Sequence, residues 1–201
     1  MSRPADEMFR FFLENGAKTF VETGTFHGGG VIMARKSEFP RIISIEVVRE
    51  FHEECLEKFA DPIKQGQVEL VLGDSATCIA DICRRIDEPC VFWLDAHFQG
   101  VEAEFDASNC PLNAELEAII ARGNPSDIIL IDDLRLLQNP SAWRGHDVVL
   151  DKALGALHRA FTDSIAVYLD GYTPRDVFAI MPGRLAQGFF ARFPDGRLEQ
   201  S

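Results

Sequence analysis

Four side chains that can bind a metal ion or move a proton follow two apolar runs of the sequence. Asp95 and His97 come after one run, and Asp132 and Asp133 come after the next. Crowded carboxylates repel one another unless a cation or a proton lies between them, and hard oxygen ligands suit Mg²⁺. We therefore predict a metal site at Asp95, Asp132 and Asp133. The imidazole of His97 titrates near neutrality and could take a proton from a hydroxyl group, so His97 is the predicted catalytic base.

Simpler interpretations of the same residues stay open. Asp132 or Asp133 would also serve as the N-cap of the segment that follows them. Asp95 could bind loop amides or a cofactor rather than a metal, and His97 could have a purely structural role. The strand order of the fold decides whether these side chains meet at all.

A second set of residues has the types and spacing of a nucleotide-cofactor site. The glycines of residues 22–30 permit a tight turn and a close approach of a ligand, and the helix that follows offers free amides to a carboxylate. Glu46 is placed to accept hydrogen bonds from ribose hydroxyls, and Asp74 with Ser75 suits the edge of an adenine. The predicted cofactor-binding residues are Glu22, Thr23, Gly24, Thr25, Gly28, Glu46, Asp74, Ser75 and Asp95. The NAD fingerprint and the phosphate loop of NTPases are both absent from the sequence.

The segments that position these residues alternate between strand-like and helix-like patterns. Strands are predicted at 19–22, 41–46, 68–72, 90–94, 127–132, 164–169 and 176–181, and helices at 6–13, 31–36, 49–59, 75–86, 111–122 and 146–161. This alternation predicts βαβ units and a parallel sheet. The loop between the last two strands is too short for a crossover helix, so they should form an antiparallel hairpin. We predict an α/β fold, Rossmann-like and mostly parallel, with helices on both faces, which resembles the layout of class I methyltransferases.

Composition narrows the class of protein further. The 201 residues fit one domain over 1–201, and the net charge of −12 opposes nucleic acid and anionic membranes. Five cysteines without a Cys-x-x-Cys pair favour reduced thiols. The polar N-terminus and the lack of a long apolar run favour a cytoplasmic location. We expect a small-molecule substrate, no nucleic-acid or membrane partner, and a homodimer. Most of the 16 phenylalanines should pack in the core, while Phe9, Phe11 and Phe12 could cover the cofactor or form a dimer contact.

Several short motifs together resemble a known family. They are Glu22-Thr-Gly24-Thr-Phe-His-Gly28, Ile45-Glu46, Gly73-Asp74-Ser75, Trp93-Leu-Asp95-Ala-His97, Cys110-Pro-Leu with Glu115-Leu116, and Ile129-Leu-Ile-Asp132-Asp133. Over residues 20–134 the chain is similar to a family of bacterial and plant class I methyltransferases. It is also similar to the Mg²⁺-dependent sugar O-methyltransferases of macrolide (macrocin-type) and aminocoumarin biosynthesis.

The resemblance implies S-adenosylmethionine (SAM) as cofactor and Mg²⁺ at Asp95, Asp132 and Asp133. It also implies a general base two residues after the first acid. That base is an aspartate in the sugar enzymes and is His97 here. The N-terminal extension that covers the site in those enzymes is reduced in this chain to one helix.

Three functional hypotheses follow. The leading one is SAM-dependent O-methylation of a small hydroxylated acceptor, with assistance from a metal. A metal-assisted hydrolase using Asp95, His97, Asp132 and Asp133 is an alternative, but it leaves the glycine loop and Glu46 unexplained. A non-catalytic SAM-binding or interaction module is the third, supported by the histidine at position 97.

Overall fold

A seven-stranded sheet forms the centre of the protein. The computed structural model describes residues 5–96, 110–137 and 150–194. The strands are β1 (Thr19–Thr23), β2 (Arg41–Glu46), β3 (Val68–Leu72), β4 (Cys90–Leu94), β5 (Ile128–Ile131), β6 (Ser164–Leu169) and β7 (Val177–Pro182). Their spatial order is β3-β2-β1-β4-β5-β7-β6. The chain thus leaves β1 toward one edge and returns at β4 on its other side, which creates a switch point between these two strands.

Nine helices lie on the faces of this sheet within the described part of the chain. They are α1 (Ala5–Glu14), α2 (Gly29–Lys36), α3 (Arg49–Lys58), α4 (Ala60–Lys64), α5 (Ser75–Arg85), α6 (Leu112–Arg122), α7 (Leu134–Leu137), α8 (Leu150–Ala160) and α9 (Ala186–Arg192). Among the described residues, no helix has the length and apolar character to cross a membrane.

The predicted fold class is confirmed. Strands β1 to β5 pair in parallel, β7 pairs antiparallel with β5, and β6 and β7 form the predicted antiparallel hairpin. Strands β2, β3, β4 and β6 have the predicted bounds. Three helices were not predicted: the short α4 and α7 and the C-terminal α9. The structure describes the predicted helix at 146–161 only from Leu150 onward.

Two apolar layers enclose the sheet because every second side chain of a strand points to the same face. Val91 and Trp93 of β4 face the layer of α1, α2, α3 and α9, whereas Phe92 and Leu94 face α5, α6 and α8. Strands buried on both faces carry continuous apolar runs, which explains the sequence of β4.

Helix α1 belongs to the core rather than to a cover over the site. Phe9 is fully buried and packs edge-to-face against Phe20 at 5.1 Å and Trp93 at 5.5 Å between ring centroids. Phe12 is also fully buried and stacks on Phe189 of α9 at 6.1 Å. Of the alternatives for the N-terminal phenylalanines, the structure therefore supports core packing.

Candidate functional site

The register of the parallel strands places the predicted site residues in one line. Thr23 pairs with Ile45 on one side and with Leu94 on the other, and Leu94 pairs with Ile131. The residues that follow these positions, Gly24, Glu46, Asp95 and Asp132, therefore lie side by side where β1, β2, β4 and β5 end. We call this line the carboxyl edge. It spans the switch point, where ligands of open α/β sheets bind.

Gly24 allows two loops to meet at the centre of the carboxyl edge. Its φ of +83° lies in the left-handed region, and a Cβ at this position would lie 2.7 Å from the carbonyl oxygen of Asp95. The amide of Asp95 in turn donates to Thr23 Oγ1 at 3.2 Å. The glycine loop after β1 and the acidic loop after β4 are thus in direct backbone contact.

Beneath the glycine loop lies a buried carboxyl group, that of Glu22. Glu22 Oε2 accepts a hydrogen bond from Ser44 Oγ at 2.6 Å, and Ser44 Oγ lies 2.6 Å from Thr25 Oγ1. Burial, aided by repulsion from Glu46, raises the pKa of Glu22 from 4.5 to about 8. The side chain fits only because residue 30 is glycine, since a Cβ there would lie 1.7 Å from Glu22 Oε1.

Helix α2 begins at the end of this loop. Gly28 is its N-cap residue, and no side chain among the described residues caps the helix. The first amides of α2 therefore point toward the loop with the positive end of the helix dipole, which favours a bound carboxylate. That these amides bind a carboxylate stays a prediction.

Glu46 accepts hydrogen bonds with both of its carboxylate oxygens, one of them from the glycine loop. Oε2 accepts a hydrogen bond from the amide of Phe26 at 2.7 Å, and Oε1 accepts one from the amide of Val48 at 2.8 Å. Each carboxylate oxygen can accept a second hydrogen bond. Glu46 therefore has acceptor capacity left for ribose hydroxyls, and that role stays a prediction.

Asp74 and Ser75 lie where β3 leads into α5. Asp74 is the N-cap residue of α5, and its Oδ1 accepts a hydrogen bond from the amide of Ala76 at 2.9 Å. Ser75 is the first residue of the helix and is buried. Asp74 thus has a structural role at the position predicted for the adenine edge.

Apolar side chains that the sequence analysis did not single out lie at the same end of the sheet. Phe26, Val47 and Leu72 follow or end β1, β2 and β3, and each exposes more than a third of its surface. Single exposed apolar residues are common, but contiguous apolar surface at a ligand-binding edge can mark a binding site. Their common signal in the sequence is an apolar residue at or just after a strand end.

The three predicted metal ligands meet at the other half of the carboxyl edge. Each of Asp95, Asp132 and Asp133 contributes a carboxylate oxygen, and these oxygens lie within 4.8 Å of one another. Burial and repulsion from Asp132 and Asp133 raise the pKa of Asp95 from 3.8 to about 9. Burial likewise raises the pKa of Asp132 to about 7 and the pKa of Asp133 above its ordinary value. A nearby cation would relieve this cost.

One cation, the guanidinium of Arg135, already reaches the edge of this acid cluster. Arg135 Nη1 lies 2.7 Å from Asp133 Oδ1 and also pairs with Asp176 Oδ2. Asp176 is buried, and its Oδ1 accepts a hydrogen bond from the amide of Arg135 at 2.9 Å. The carboxylate that binds the first turn of α7 thus comes from Asp176, a residue that the sequence analysis missed.

The predicted catalytic base lies outside the described residues. The role of His97 therefore stays a prediction from the sequence.

Comparison with solved structures identifies the fold. The SAH-bound methyltransferase PaMTH1 of Podospora anserina aligns over 89% of this chain and 77% of its own, with a TM-score of 0.62 and 14% identity. The SAM complex of the O-methyltransferase TomG of Streptomyces achromogenes, involved in tomaymycin synthesis, aligns over 90% and 80%, with a TM-score of 0.61 and 17% identity. The SAH complex of an O-methyltransferase from Bacillus cereus aligns over 88% and 80%, with a TM-score of 0.61 and 16% identity.

These similarities establish the fold, which is the Rossmann-like fold of class I methyltransferases. No protein-family model and no curated protein sequence matches the chain.

Proposed function

We propose that this protein is a SAM-dependent methyltransferase that O-methylates a small hydroxylated acceptor, with Mg²⁺ at Asp95, Asp132 and Asp133. One observation carries the proposal. The acid cluster and the glycine loop share the carboxyl edge, and Asp95 belongs to both through its backbone contact with Gly24. An acceptor bound at the acids would therefore lie beside a cofactor bound at the loop.

The residues of the loop have the chemistry that SAM requires. SAM supplies an electrophilic methyl group on a sulfonium. The free amides of α2 suit its carboxylate, and Glu46 has acceptor capacity for its ribose hydroxyls. Phe26, Val47 and Leu72 offer apolar surface for its base. The solved O-methyltransferases of the same fold, crystallised with SAM or SAH, support this choice of cofactor.

The acid cluster fits a divalent cation. Its three oxygens are close together, and the raised pKa of Asp95 reflects burial and repulsion that a bound cation would offset. Mg²⁺ held there would orient acceptor hydroxyls and lower their pKa. His97, two residues after Asp95, is the proposed acceptor of the hydroxyl proton. Because in-line methyl transfer depends mainly on positioning, these residues need only hold the two reactants together.

Methyl transfer from labelled SAM to a panel of small hydroxylated acceptors tests the proposal. We expect transfer that EDTA abolishes and Mg²⁺ restores. Transfer unaffected by EDTA would contradict the metal assignment. SAM binding without transfer to any acceptor would favour a non-catalytic binding module.

The Asp132→Asn variant tests the metal site separately from the cofactor site. The substitution should lower Mg²⁺-stimulated turnover by at least about tenfold. The affinity for SAH should stay within about threefold of wild type. Asp61→Asn, on the exposed surface of α4, is the matched control. Equal turnover of both variants would refute the role of Asp132.

A further inference from the structure

A fully buried acid lies beneath the carboxyl edge and has no role in the site described above. Glu115 is in the first turn of α6 and is 0% exposed. Neither of its carboxyl oxygens has a hydrogen-bond partner of normal geometry in the described part of the chain. Its helix neighbours on the buried side, Leu112, Leu116 and Ile119, are all apolar. A single acid thus interrupts an otherwise apolar helix face.

A buried acid of this kind lowers the stability of the folded state. Burial of a carboxyl group without full hydrogen bonding costs stability, and an apolar side chain of similar volume is often more stable in its place. Burial raises the pKa of Glu115 from 4.5 to about 7, which shows how poorly its charge is accommodated. Residues that lower the stability of a fold tend to occur at functional sites.

The polar neighbours of Glu115 belong to the carboxyl edge. They are the hydroxyl groups of Ser75 and Thr23, which lie close enough to Glu115 to lower its raised pKa in part. Ser75 is the first residue of α5, and Thr23 is the last residue of β1. The acid therefore lies between the two sides of the predicted cofactor cradle.

Thr23 extends this contact to the acid cluster. Its Oγ1 accepts a hydrogen bond from the amide of Asp95 at 3.2 Å. Its own hydroxyl hydrogen is then available to donate, and the carboxyl group of Glu115 is a neighbour that can accept it. A path of polar groups thus runs from Glu115 through Thr23 to the backbone of Asp95, while a second contact leads to the start of α5.

We infer that Glu115 is a positioning residue, which holds the hydroxyls of Thr23 and Ser75 so that the start of α5 and the Asp95 loop keep the spacing needed for cofactor binding. This inference rests on the proposed function. It assigns Glu115 a role through Thr23 and Ser75 rather than a contact with the cofactor. It also predicts that an apolar residue at position 115 weakens cofactor binding without lowering the stability of the fold.

Calorimetric titration with SAH and thermal unfolding of Glu115→Leu and Glu115→Gln test the inference. The leucine variant should unfold at or above the wild-type midpoint, because a buried acid is removed. It should bind SAH about tenfold more weakly, because the polar contacts with Thr23 and Ser75 are lost. The glutamine variant keeps an oxygen acceptor and should bind within about threefold of wild type. Glu117→Leu, on the exposed side of the same helix, is the control and should match wild type.

A second measurement does not depend on the cofactor. Hydrogen exchange of the Asp95 amide, followed by NMR in the free protein, should be about tenfold faster in Glu115→Leu than in wild type if Thr23 loses its fixed orientation. Ser75→Ala removes one partner without changing Glu115 and should weaken SAH binding by about threefold. Equal SAH binding of wild type and Ser75→Ala would overturn the inference even if the leucine variant does not fold.

The outcomes separate the two proposals. Wild-type protein that does not bind SAH would overturn the proposed function, and the exchange of the Asp95 amide would then decide the positioning role alone. SAH binding that is equal in wild type, Glu115→Leu and Ser75→Ala would overturn the positioning role and leave the proposed function standing. A parallel loss of stability and affinity in Glu115→Leu would also overturn it, because that result indicates a purely structural residue.

Discussion

The buried carboxyl group of Glu22 makes a quantitative prediction about stability and pH. Its pKa is raised from 4.5 to about 8, chiefly by burial. The folded state therefore holds this proton more tightly than the unfolded state. The stabilisation that this bound proton provides is complete below pH 4.5 and is lost as the pH rises through about 8.

The Glu22→Gln variant removes this dependence. A gap of this size between the two pKa values corresponds to at most about 5 kcal/mol, at 1.36 kcal/mol for each pH unit. Relaxation of a real protein will reduce this value, so we expect a difference of about 2 to 4 kcal/mol to develop across the window. Glutamine keeps the size of the side chain and can still accept a hydrogen bond from Ser44 Oγ.

Denaturant unfolding at several pH values between 4 and 9 measures the effect. The free energy of unfolding of wild type should fall relative to that of Glu22→Gln as the pH rises, and the variant should be the more stable protein above pH 8. Other carboxyl groups affect both proteins alike, so the difference between the two curves isolates Glu22. Parallel curves would refute the assignment of a neutral buried acid at this position.

The packing around two other residues predicts how their substitution changes the stability of the protein. Gly30→Ala should destabilise the protein by about 1 to 3 kcal/mol and weaken SAH binding, because its Cβ would displace the carboxyl group of Glu22. Gly29→Ala, whose Cβ would meet no atom within 4 Å, is the control, and an equal effect on thermal unfolding would contradict this reasoning. Asp127→Ala should destabilise by about 3 to 5 kcal/mol in denaturant unfolding, because it leaves the buried guanidinium of Arg122 unpaired. A loss below about 1 kcal/mol would show that the pair is solvated.

The strand pattern of the sequence predicts most of the fold. The apolar runs of β2, β3, β4 and β6 set their bounds directly, because buried strands need continuous apolar residues. Helix α4, which contains a proline, Pro62, was not predicted. Pro62 lies in the first turn of this helix, where its missing amide hydrogen is tolerated.

The sequence predicts those residues of the candidate site that lie at strand ends. It does not predict contacts that depend on the direction of a side chain. The meeting of Asp95, Asp132 and Asp133 follows from the order of β4 and β5. The pairing of Arg135 with Asp176 joins residues far apart in the sequence, and nothing local indicates it. Glu115 carries a weak signal, an acid within the apolar stripe of a helix, which only the packing of α6 against α5 makes informative.

Calorimetric titration with SAH, carried out on wild type and on Glu46→Ala, tests most directly whether the carboxyl edge is a SAM site. We predict saturable binding of one SAH per chain, and a loss of at least about tenfold in affinity when the carboxylate that holds the glycine loop is removed. Wild-type protein without heat of binding would contradict the account. Equal affinity of the two proteins would contradict the assignment of Glu46.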